Sequence, residues 1–323
     1  MIQGSDLEMF ERSLRQATSR HTGVALDAAL VELGWLDALE SDAHTAIALL
    51  FPLQGGANAT SFALDRVLMT GLNRGWALEP AVVMPPLGSW RAPAQLMGAG
   101  LNIHGLGSSA LGSHSTALVV ARSSDPTVDT VVEVATATLT LRCVEGIDPD
   151  FGLVEVSGES VDCAHLGDIA STEWDASVGL AQVALGYELV GAARTMLELA
   201  RDHALNRVQF GQPISRFQAV RHRLAETLVA IEAADAVLAA TGEDPSPQLA
   251  AAAKALSGRG ARTAGRHCQQ VLAGIGFTAE HPFHRYLKRV LVLDQLFGTS
   301  RALTEGLGNE LLASRRMPTH LPL

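Results

Sequence analysis

One loop of this sequence carries the side-chain types needed to hold a phosphate and to contact a flat ring. It reads Arg207-Val208-Gln209-Phe210-Gly211-Gln212-Pro213-Ile214, and Phe217-Gln218-Ala219-Val220 follows at once. The loop offers a guanidinium, an amide and an aromatic face, and its glycine lets a ligand approach the backbone closely. Glycine and proline mark a turn, after which a long helix is expected. This chemistry is suited to a phosphate-bearing aromatic cofactor.

A second segment strengthens that interpretation. It reads Gln270-Val271-Leu272-Ala273-Gly274-Ile275-Gly276-Phe277-Thr278, with His281-Pro282 and Arg285-Tyr286 after it. In order and spacing the two segments resemble the R-x-x-F-G-x-x-I…F-Q-x-V loop and the Q-x-x-G-G-x-G-[YF]-T…P…R-[YF] run of the acyl-CoA dehydrogenase family. In that family the loop binds the tail of FAD and opens a helix of the C-terminal four-helix domain. Either motif alone is weakly specific, whereas the pair is specific.

The resemblance implies a role for each matching position. Arg207 would face the FAD pyrophosphate, and Phe210 would pack against the cofactor. The full set of candidate cofactor-binding residues is Arg207, Gln209, Phe210, Gln218, Gln270 and Gly274. Each residue alone also has a structural alternative: Arg207 could pair with a carboxylate, Phe210 could be core, and Gln270 could cap a helix.

The catalytic glutamate of the family is missing from both of its known positions. The family's x-E-G-T-S segment corresponds to Leu296-Phe297-Gly298-Thr299-Ser300, so Phe297 stands at the glutamate position. A phenyl ring cannot accept the α-proton of an acyl-CoA. The other position, on the helix before the flavin loop, falls at Ala181. We therefore predict no complete dehydrogenase site, and Asp294 is the alternative base. Its competing interpretation is a surface acid that is solvated or paired with an arginine.

Composition excludes several other functions. The net charge of −10 argues against a nucleic-acid partner, and 47 % hydrophobic with 18 % charged residues is typical of a soluble helical protein. No stretch reaches the length of a membrane span without a charge or a turn residue. No His or Cys spacing suits a metal. The scattered Cys143, Cys163 and Cys268 predict a reduced, cytoplasmic chain with buried thiols, and the N-terminus does not resemble a signal peptide.

The hydrophobic pattern divides the chain into three zones. The expected fold is mainly α with a small β-domain, similar to acyl-CoA dehydrogenases. Residues 1–75 would form a shortened N-terminal helical domain, residues 76–165 a middle antiparallel β-domain, and residues 166–323 a C-terminal four-helix bundle that carries the FAD-tail loop. The supporting patterns are apolar residues at helical spacing (Leu7, Phe10, Leu14; Phe217, Val220, Leu224, Leu228, Ile231, Leu238) and alternating β-branched runs (117–121, 131–134, 138–141). The tail, with Arg316, Pro318 and Pro322, would be loose or docked on a partner.

The middle zone contains neither the T-E-P-x-x-G-S-D loop nor the W-I-[TS]-N strand that hold the flavin ring in the family. Trp90, in Gly88-Ser89-Trp90-Arg91, is a poor substitute. We therefore predict that the ring pocket is absent or rebuilt, while the tail loop is kept. This combination resembles the small subunit of the heteromeric α2β2 acyl-CoA dehydrogenases of bacterial steroid degradation.

That resemblance implies an enzyme subunit that is completed by a partner. A full-length homologous subunit would supply the flavin-ring pocket and the glutamate, and FAD would be shared across the interface. The reaction would be α,β-dehydrogenation of a bulky, steroid-derived acyl-CoA, with an electron-transfer flavoprotein as acceptor. Two alternatives stay open: a self-sufficient dehydrogenase that uses Asp294, and a non-enzymatic protein of the same fold.

Overall fold

The N-terminal part of the chain is a layer of short helices. The computed structural model describes residues 4–72, 81–97 and 100–315. The helices of this layer are α1 (Gly4–Arg20), α2 (Val24–Glu32), α3 (Trp35–Ser41), α4 (Ala43–Ala57) and α5 (Ala63–Gly71). Leu14 of the predicted stripe is buried, and so are Leu26 and Leu30 of α2. The Trp35 indole is also buried and donates to the Ala46 carbonyl at 3.0 Å, which joins α3 to α4.

Within the described residues a sheet of eight strands follows, in the order β6-β7-β3-β2-β4-β5-β8 with β1 beside β4. The strands are β1 (Ala81–Val82), β2 (Ala94–Met97), β3 (Gly100–Ser108), β4 (Thr116–Arg122), β5 (Val128–Ala135), β6 (Thr140–Cys143), β7 (Leu153–Val161) and β8 (Cys163–Ala170). β4 is parallel to both β1 and β2, so the prediction of an antiparallel domain is wrong for these pairs. The chain turns back from β2 into β3 and turns back again into β4, which lies on the other side of β2 and so runs in the direction of β2.

Strand β4 is buried on both faces of the sheet. Leu118 and Val120 pack into the main helical core, whereas Ala117 and Val119 belong to a separate apolar cluster. Successive side chains of a strand point to opposite faces, so the run of apolar residues seen in the sequence serves two cores. The helical layers therefore pack on one face of the sheet.

The C-terminal half is a helical bundle around one long helix. Its helices are α6 (Ser171–Asn206), α7 (Gln218–Ala240), α8 (Pro247–Leu272), α9 (Phe283–Leu293) and α10 (Ser300–Ser314), and a small hairpin, β9 (Val208–Gln209) and β10 (Gln212–Pro213), joins α6 to α7. Between α7 and α8 the chain is not helical, at residues 241–246. The Ser246 side chain accepts from the Leu249 N–H at 3.4 Å at the start of α8, directly before Pro247.

Glycines bring α4 and α6 into backbone contact. A Cβ added at Gly55 would overlap the Glu188 carbonyl, and one at Gly191 would overlap the Pro52 carbonyl. A neighbouring position differs, because a Cβ at Gly56 would come no nearer than 3.6 Å to Thr195 Oγ1. This reciprocal packing fixes the N-terminal layer against the bundle.

Helix α6 is long and apolar enough, by length and composition, to cross a membrane, although it contains charged residues and glycines, as predicted from the sequence for every stretch of that length. Within the protein, 83 % of its most apolar window is buried. The core helix of a bundle shows the same burial, so this observation is weak evidence for a membrane span.

Three other predictions concern the domain boundaries, the C-terminal tail and the burial of the cysteine thiols. The predicted boundary at 165/166 falls inside β8, while the one at 75/76 and the tail residues Arg316, Pro318 and Pro322 lie outside the described residues. The domain limits therefore stay predictions. Buried thiols were expected, but Cys143 is exposed and Cys163 half-buried; only Cys268 is buried, and burial raises the pKa of its thiol to about 12.

Candidate cofactor site

The flavin-tail loop is a tight hairpin at the end of α6. The Arg207 N–H donates to the His203 carbonyl at 2.8 Å, and the Ile214 N–H donates to the Arg207 carbonyl at 2.8 Å, which closes the loop. At its tip Phe210 and Gly211 have φ angles of 54° and 78°. Such angles are natural for glycine and strained for phenylalanine. The hairpin therefore holds an aromatic side chain in a conformation that local preference disfavours.

Phe210 points away from the core. Its side chain is 91 % exposed and touches the Phe217 ring edge-on, with centroids 6.1 Å apart. The alternative of a core phenylalanine is therefore wrong. An exposed, strained aromatic side chain at a loop tip is arranged to contact something outside this chain.

The polar candidates are also free to reach a ligand. Arg207 is exposed, and no carboxylate in the described part of the chain pairs with it, contrary to the structural alternative. Gln209 and Gln218 are exposed, as is Gln270 in the last turn of α8. Among the described residues, none donates to or accepts from the Gln270 side chain, so it is not a helix cap.

The second segment forms an open turn after α8. Ala273 has a φ of 53°, and a Cβ built on Gly274 would meet nothing within 4 Å, so the Gly274 backbone is accessible. Phe277 is 74 % exposed and Ile275 is 41 % exposed. This turn presents a second apolar surface beside accessible backbone.

The structure brings the two segments to one end of the bundle. The C-terminal ends of α6 and α8 and the N-terminal ends of α7 and α9 meet there. Burial lowers the pKa of His203, and the nearby positive charges of His281 and Arg207 lower it further. Arg207 thus supplies a positive charge at this end of the bundle, which favours binding of an anionic phosphate.

The position of the missing catalytic base lies near the first third of α6, far from the flavin-tail loop at the other end of this helix. The Gln182 side chain donates to the Phe297 carbonyl at 3.0 Å, and Phe297 is buried with a φ of 52°. Ala181 is adjacent and fully buried, so the two base positions of the family meet here, and neither carries a carboxylate. From Gln182 to the end of α6 the helix spans roughly 36 Å. The tail loop and the Phe297 turn of one chain are therefore far apart.

The Asp294 carboxylate stabilises the turn that contains Phe297. It is buried, and its carboxylate accepts from the Ser300 N–H at 3.1 Å and pairs with Arg262 at 3.3 Å. The expected arginine partner is present, but the surface location is wrong because α9 ends at Leu293 and the chain turns inward. Lys254 is buried beside it and donates to the carbonyls of Asp294 and Gly298 at 2.9 and 2.5 Å. Burial lowers the pKa of Lys254 to about 7, against the opposing effect of Asp294.

Gly298, Thr299 and Ser300 have structural roles here, and the Trp90 side chain covers the turn that they form. The Thr299 hydroxyl accepts from the Ala302 N–H at 3.0 Å and caps α10. A Cβ on Gly298 would lie 2.8 Å from the Trp90 ring, and a Cβ on Gly306 would lie 3.8 Å from it. The indole therefore packs directly on the Gly298 turn and against α10.

The sequence reasoning missed the loop that carries Trp90. Pro85-Pro86-Leu87-Gly88-Ser89 preserves the P-x-x-G-S part of the family's flavin loop, and Trp90 stands where that loop has aspartate. The Gly88 N–H donates to the Gln295 carbonyl at 2.8 Å, so the loop does reach the Phe297 region. The loop is kept in place, and its acid is replaced by a bulky ring.

Glu188 is a buried acid that the sequence reasoning did not identify as a candidate. It is 2 % exposed, and the Gln54 amide donates to its Oε2 at 3.1 Å. Burial raises its pKa to about 7, although Arg289 and Gln54 lower it. Arg289 is itself buried, donating to the Asp148 carboxylate at 2.7 Å and to the Ala59 carbonyl at 3.0 Å. The signal in the sequence was that Glu188 is the only charged residue in the stretch 176–193 of α6.

Comparisons with known proteins agree with this geometry. Residues 177–312 match the family description "Acyl-CoA dehydrogenase, C-terminal domain". The chain is 30 % identical to acyl-CoA dehydrogenase IpdE2 of Mycobacterium tuberculosis over 97 % of its own length and 100 % of that protein. This chain belongs to the acyl-CoA dehydrogenase family. Its fold is also similar to a variant of the steroid ACAD Tcur3481–Tcur3483 (TM-score 0.81, 20 % identity, 97 % of this chain and 99 % of that one).

Two further solved structures of the family show the same fold. The ChsE4–ChsE5 complex from Mycobacterium tuberculosis gives a TM-score of 0.78 at 16 % identity, covering 98 % of this chain and 99 % of that one. Butyryl-CoA dehydrogenase from Megasphaera elsdenii gives 0.73 at 17 % identity, covering 95 % and 98 %. The predicted fold class, mainly α with a sheet domain in the middle, is thus confirmed.

Proposed function

We propose that this chain is the small subunit of a heteromeric, FAD-dependent acyl-CoA dehydrogenase. The observation that carries the proposal is the separation of the two half-sites. The flavin-tail loop is exposed and cationic, whereas the Phe297 turn has no carboxylate and is covered by Trp90. A homologous full-length subunit would supply the ring pocket and the glutamate, in an α2β2 assembly.

The residues at the bundle end fit the tail of FAD. Arg207 would give two parallel N–H donors to the pyrophosphate, and the strained, exposed Phe210 would pack against the cofactor. Gln209, Gln218 and Gln270 would hydrogen-bond its polar edges, with the accessible backbone of Gly274 beside them. When bound, FAD supplies the acceptor for the electrons of α,β-dehydrogenation. In that reaction this chain would bind and orient, and would take no proton.

The substrate we propose is a bulky, steroid-derived acyl-CoA, with an electron-transfer flavoprotein as acceptor and the cytoplasm as location. The similarity of this fold to the steroid ACAD Tcur3481–Tcur3483 and to the ChsE4–ChsE5 complex supports the choice of substrate. A complex that dehydrogenates short linear acyl-CoAs and is inert on steroid thioesters would contradict the proposed substrate.

The test compares the chain alone with the chain co-expressed with a full-length homologous subunit. We expect FAD absorbance only in the complex. In the complex, Arg207→Ala should weaken FAD binding by about tenfold or more, because it removes charged hydrogen bonds to phosphate. Arg201→Ala is the matched control: Arg201 is also exposed on α6, and it pairs with the adjacent Asp202 at 3.0 Å.

Two results would refute the proposal. A lone chain that purifies with stoichiometric FAD would show that the cofactor is not shared. Equal FAD affinity in the Arg207→Ala and Arg201→Ala complexes would show that the hairpin does not hold the tail, and would favour a non-enzymatic protein of this fold. The self-sufficient enzyme with Asp294 as base gains no support, because that carboxylate is buried among structural partners.

A further inference from the structure

A cavity of about 310 Å³ lies between α6, α8, α10 and the loop that carries Trp90. This volume is at the lower end of the range for small-molecule sites, about 300–1,000 Å³. The Trp90 indole closes one side of the cavity. The remaining apolar lining is formed by Val178, Ala251, Leu303 and Leu307. The cavity therefore has the size and the walls to hold a single ring.

The cavity has an exposed mouth and a buried inner end. Asp175, Val178 and Gln182 lie on one face of α6, three and four residues apart, and the side chains change from exposed at Asp175 to buried at Gln182. The order along α10 is reversed, because Leu303 is buried and Glu310 is exposed. Two acids therefore stand at the mouth, and Gln182 lies at the inner end, roughly 10 Å farther along α6.

Gln182 presents an unpaired acceptor at the inner end. Its side chain is 3 % exposed, and its amide nitrogen donates to the Phe297 carbonyl at 3.0 Å, which fixes the orientation of the amide. Its Oε1 accepts no hydrogen bond from any residue that the structure describes. Unlike the orphaned Glu188 Oε1, this oxygen is not sealed inside the protein, so the cavity gives access to it. A ligand that brings an O–H or N–H donor to the inner end would satisfy it.

The mouth of the cavity is negatively charged. Asp175 and Glu310 supply two carboxylates, and no Lys, Arg or His occurs among the lining residues that the structure describes. The Gln248 amide donates to Glu310 at 2.9 Å, which holds this carboxylate beside the start of α8. Arg122 and Asp129, whose charges act on Asp175, pair with each other at 3.6 Å and leave the sign of the mouth unchanged. The carboxylates and the nearby indole ring both favour a cation here.

We propose that this cavity binds an arylalkylamine that carries an O–H or N–H donor on its ring. The ring donor binds Gln182 Oε1, and the ring packs against Trp90. The ammonium group lies at the mouth, between Asp175 and Glu310. A phenol with a two-carbon amine chain is similar in length to the distance from the inner end to the mouth. The acidic mouth disfavours acyl-CoA compounds, which are anions, so the proposal does not rest on the proposed function.

The experiment is isothermal titration calorimetry with tyramine, on the full chain and on its complex with a homologous full-length subunit. Phenethylamine, which lacks the hydroxyl, should bind about tenfold more weakly because Gln182 Oε1 is left unpaired. We expect no binding of para-hydroxyphenylacetate, which has a carboxylate in place of the amine. Equal binding of the three compounds would overturn the proposal, and so would the absence of tyramine binding at millimolar concentration.

A steric variant locates the site. Gly306 on α10 lines the cavity, and a Cβ there would lie 3.8 Å from the Trp90 ring, an ordinary contact. Gly306→Leu should therefore fold, fill the cavity and weaken tyramine binding by about tenfold or more. Gly308→Leu is the matched control on the same helix, because a Cβ on Gly308 meets nothing within 4 Å and Gly308 is not part of the lining.

Two further results would overturn the proposal. One is unchanged tyramine binding in Gly306→Leu. The other is binding by the chain alone that disappears in the complex, since the partner subunit would then occupy the cavity. If Gly306→Leu fails to fold, the comparison of the three compounds still decides. Arg207→Ala should leave tyramine binding unchanged, which separates this outcome from failure of the proposed function.

Discussion

Asp65 should make the protein more stable in mild acid than at neutral pH. Its side chain is 6 % exposed on α5, and burial raises its pKa from 3.8 to about 7. The charge of Asp27 also raises it, while Arg66, the Ser108 side chain and the Val82 backbone lower it. Because the pKa is higher in the folded chain, folding retains a proton that the unfolded chain releases between these two values.

The sign and the size of the change in stability follow from the difference between the folded and unfolded pKa values of Asp65. Below the unfolded pKa, both states are protonated and the carboxyl costs nothing. Above about 7 both are ionised, and the folded state carries the full penalty of a buried carboxylate. The two pKa values correspond to about 4 kcal/mol, a large share of the 5–15 kcal/mol that is typical for a domain.

Asp65→Asn removes this titration and keeps the shape of the side chain. We expect the free energy of unfolding of the variant, relative to the natural chain, to rise by about 4 kcal/mol between about pH 4 and pH 8. Urea denaturation at fixed intervals across this range measures it, provided that the slope with urea stays constant. Glu8→Gln, an exposed acid on α1, is the control and should leave the pH profile unchanged.

Parallel pH profiles for the natural chain and Asp65→Asn would refute the reasoning. They would mean that the carboxyl stays solvated in the folded chain, so that burial does not raise its pKa. A profile that falls in the opposite direction, with the variant losing stability as the pH rises, would mean that Arg66 dominates over burial.

Two further predictions concern packing and thiol reactivity. Gly55→Ala should lower the free energy of unfolding by about 3 kcal/mol, because the new methyl group would overlap the Glu188 carbonyl; Gly56→Ala, whose Cβ has room, should be neutral or stabilising by up to about 1 kcal/mol in thermal denaturation. Equal losses in both variants would contradict the close approach of α4 and α6. In the native chain a disulfide reagent should modify the exposed Cys143 and leave Cys268 unmodified until urea unfolds the protein, as peptide mapping would show. Native modification of Cys268 would disprove its burial.

The helices with strong local signals could be predicted from the sequence. Helix α8 (Pro247–Leu272) is one of them, since Ser246 and Pro247 are a local start signal. The predicted stripe on α7 was only partly correct: Ile231 and Leu238 are buried, but Leu228 is 46 % exposed. Periodicity shows which residues share a face, and it does not show whether this chain covers that face.

The loop of the candidate site could be predicted from the sequence, but the three-dimensional arrangement of the residues around the missing base could not. The hairpin at 207–214 was found because its residue types lie together in the sequence. The burial of Asp294, the position of Trp90 on Gly298 and the Gln54–Glu188 hydrogen bond depend on residues far apart, 134 positions in the last case. The direction of β4 was missed for the same reason, because alternation identifies strand faces and carries no information on neighbours.

Arg289 has a consequence for the order in which the chain can fold during synthesis. Its partners Asp148 and Ala59 precede it by 141 and 230 residues, and Tyr286 nearby donates to the Gly56 carbonyl across 230 residues. The ribosome must therefore complete most of the chain before these buried groups find their donors. Until then these buried groups lack their donors, and the nascent chain exposes apolar surface to chaperones and proteases. A product truncated before α9 would remain in that state.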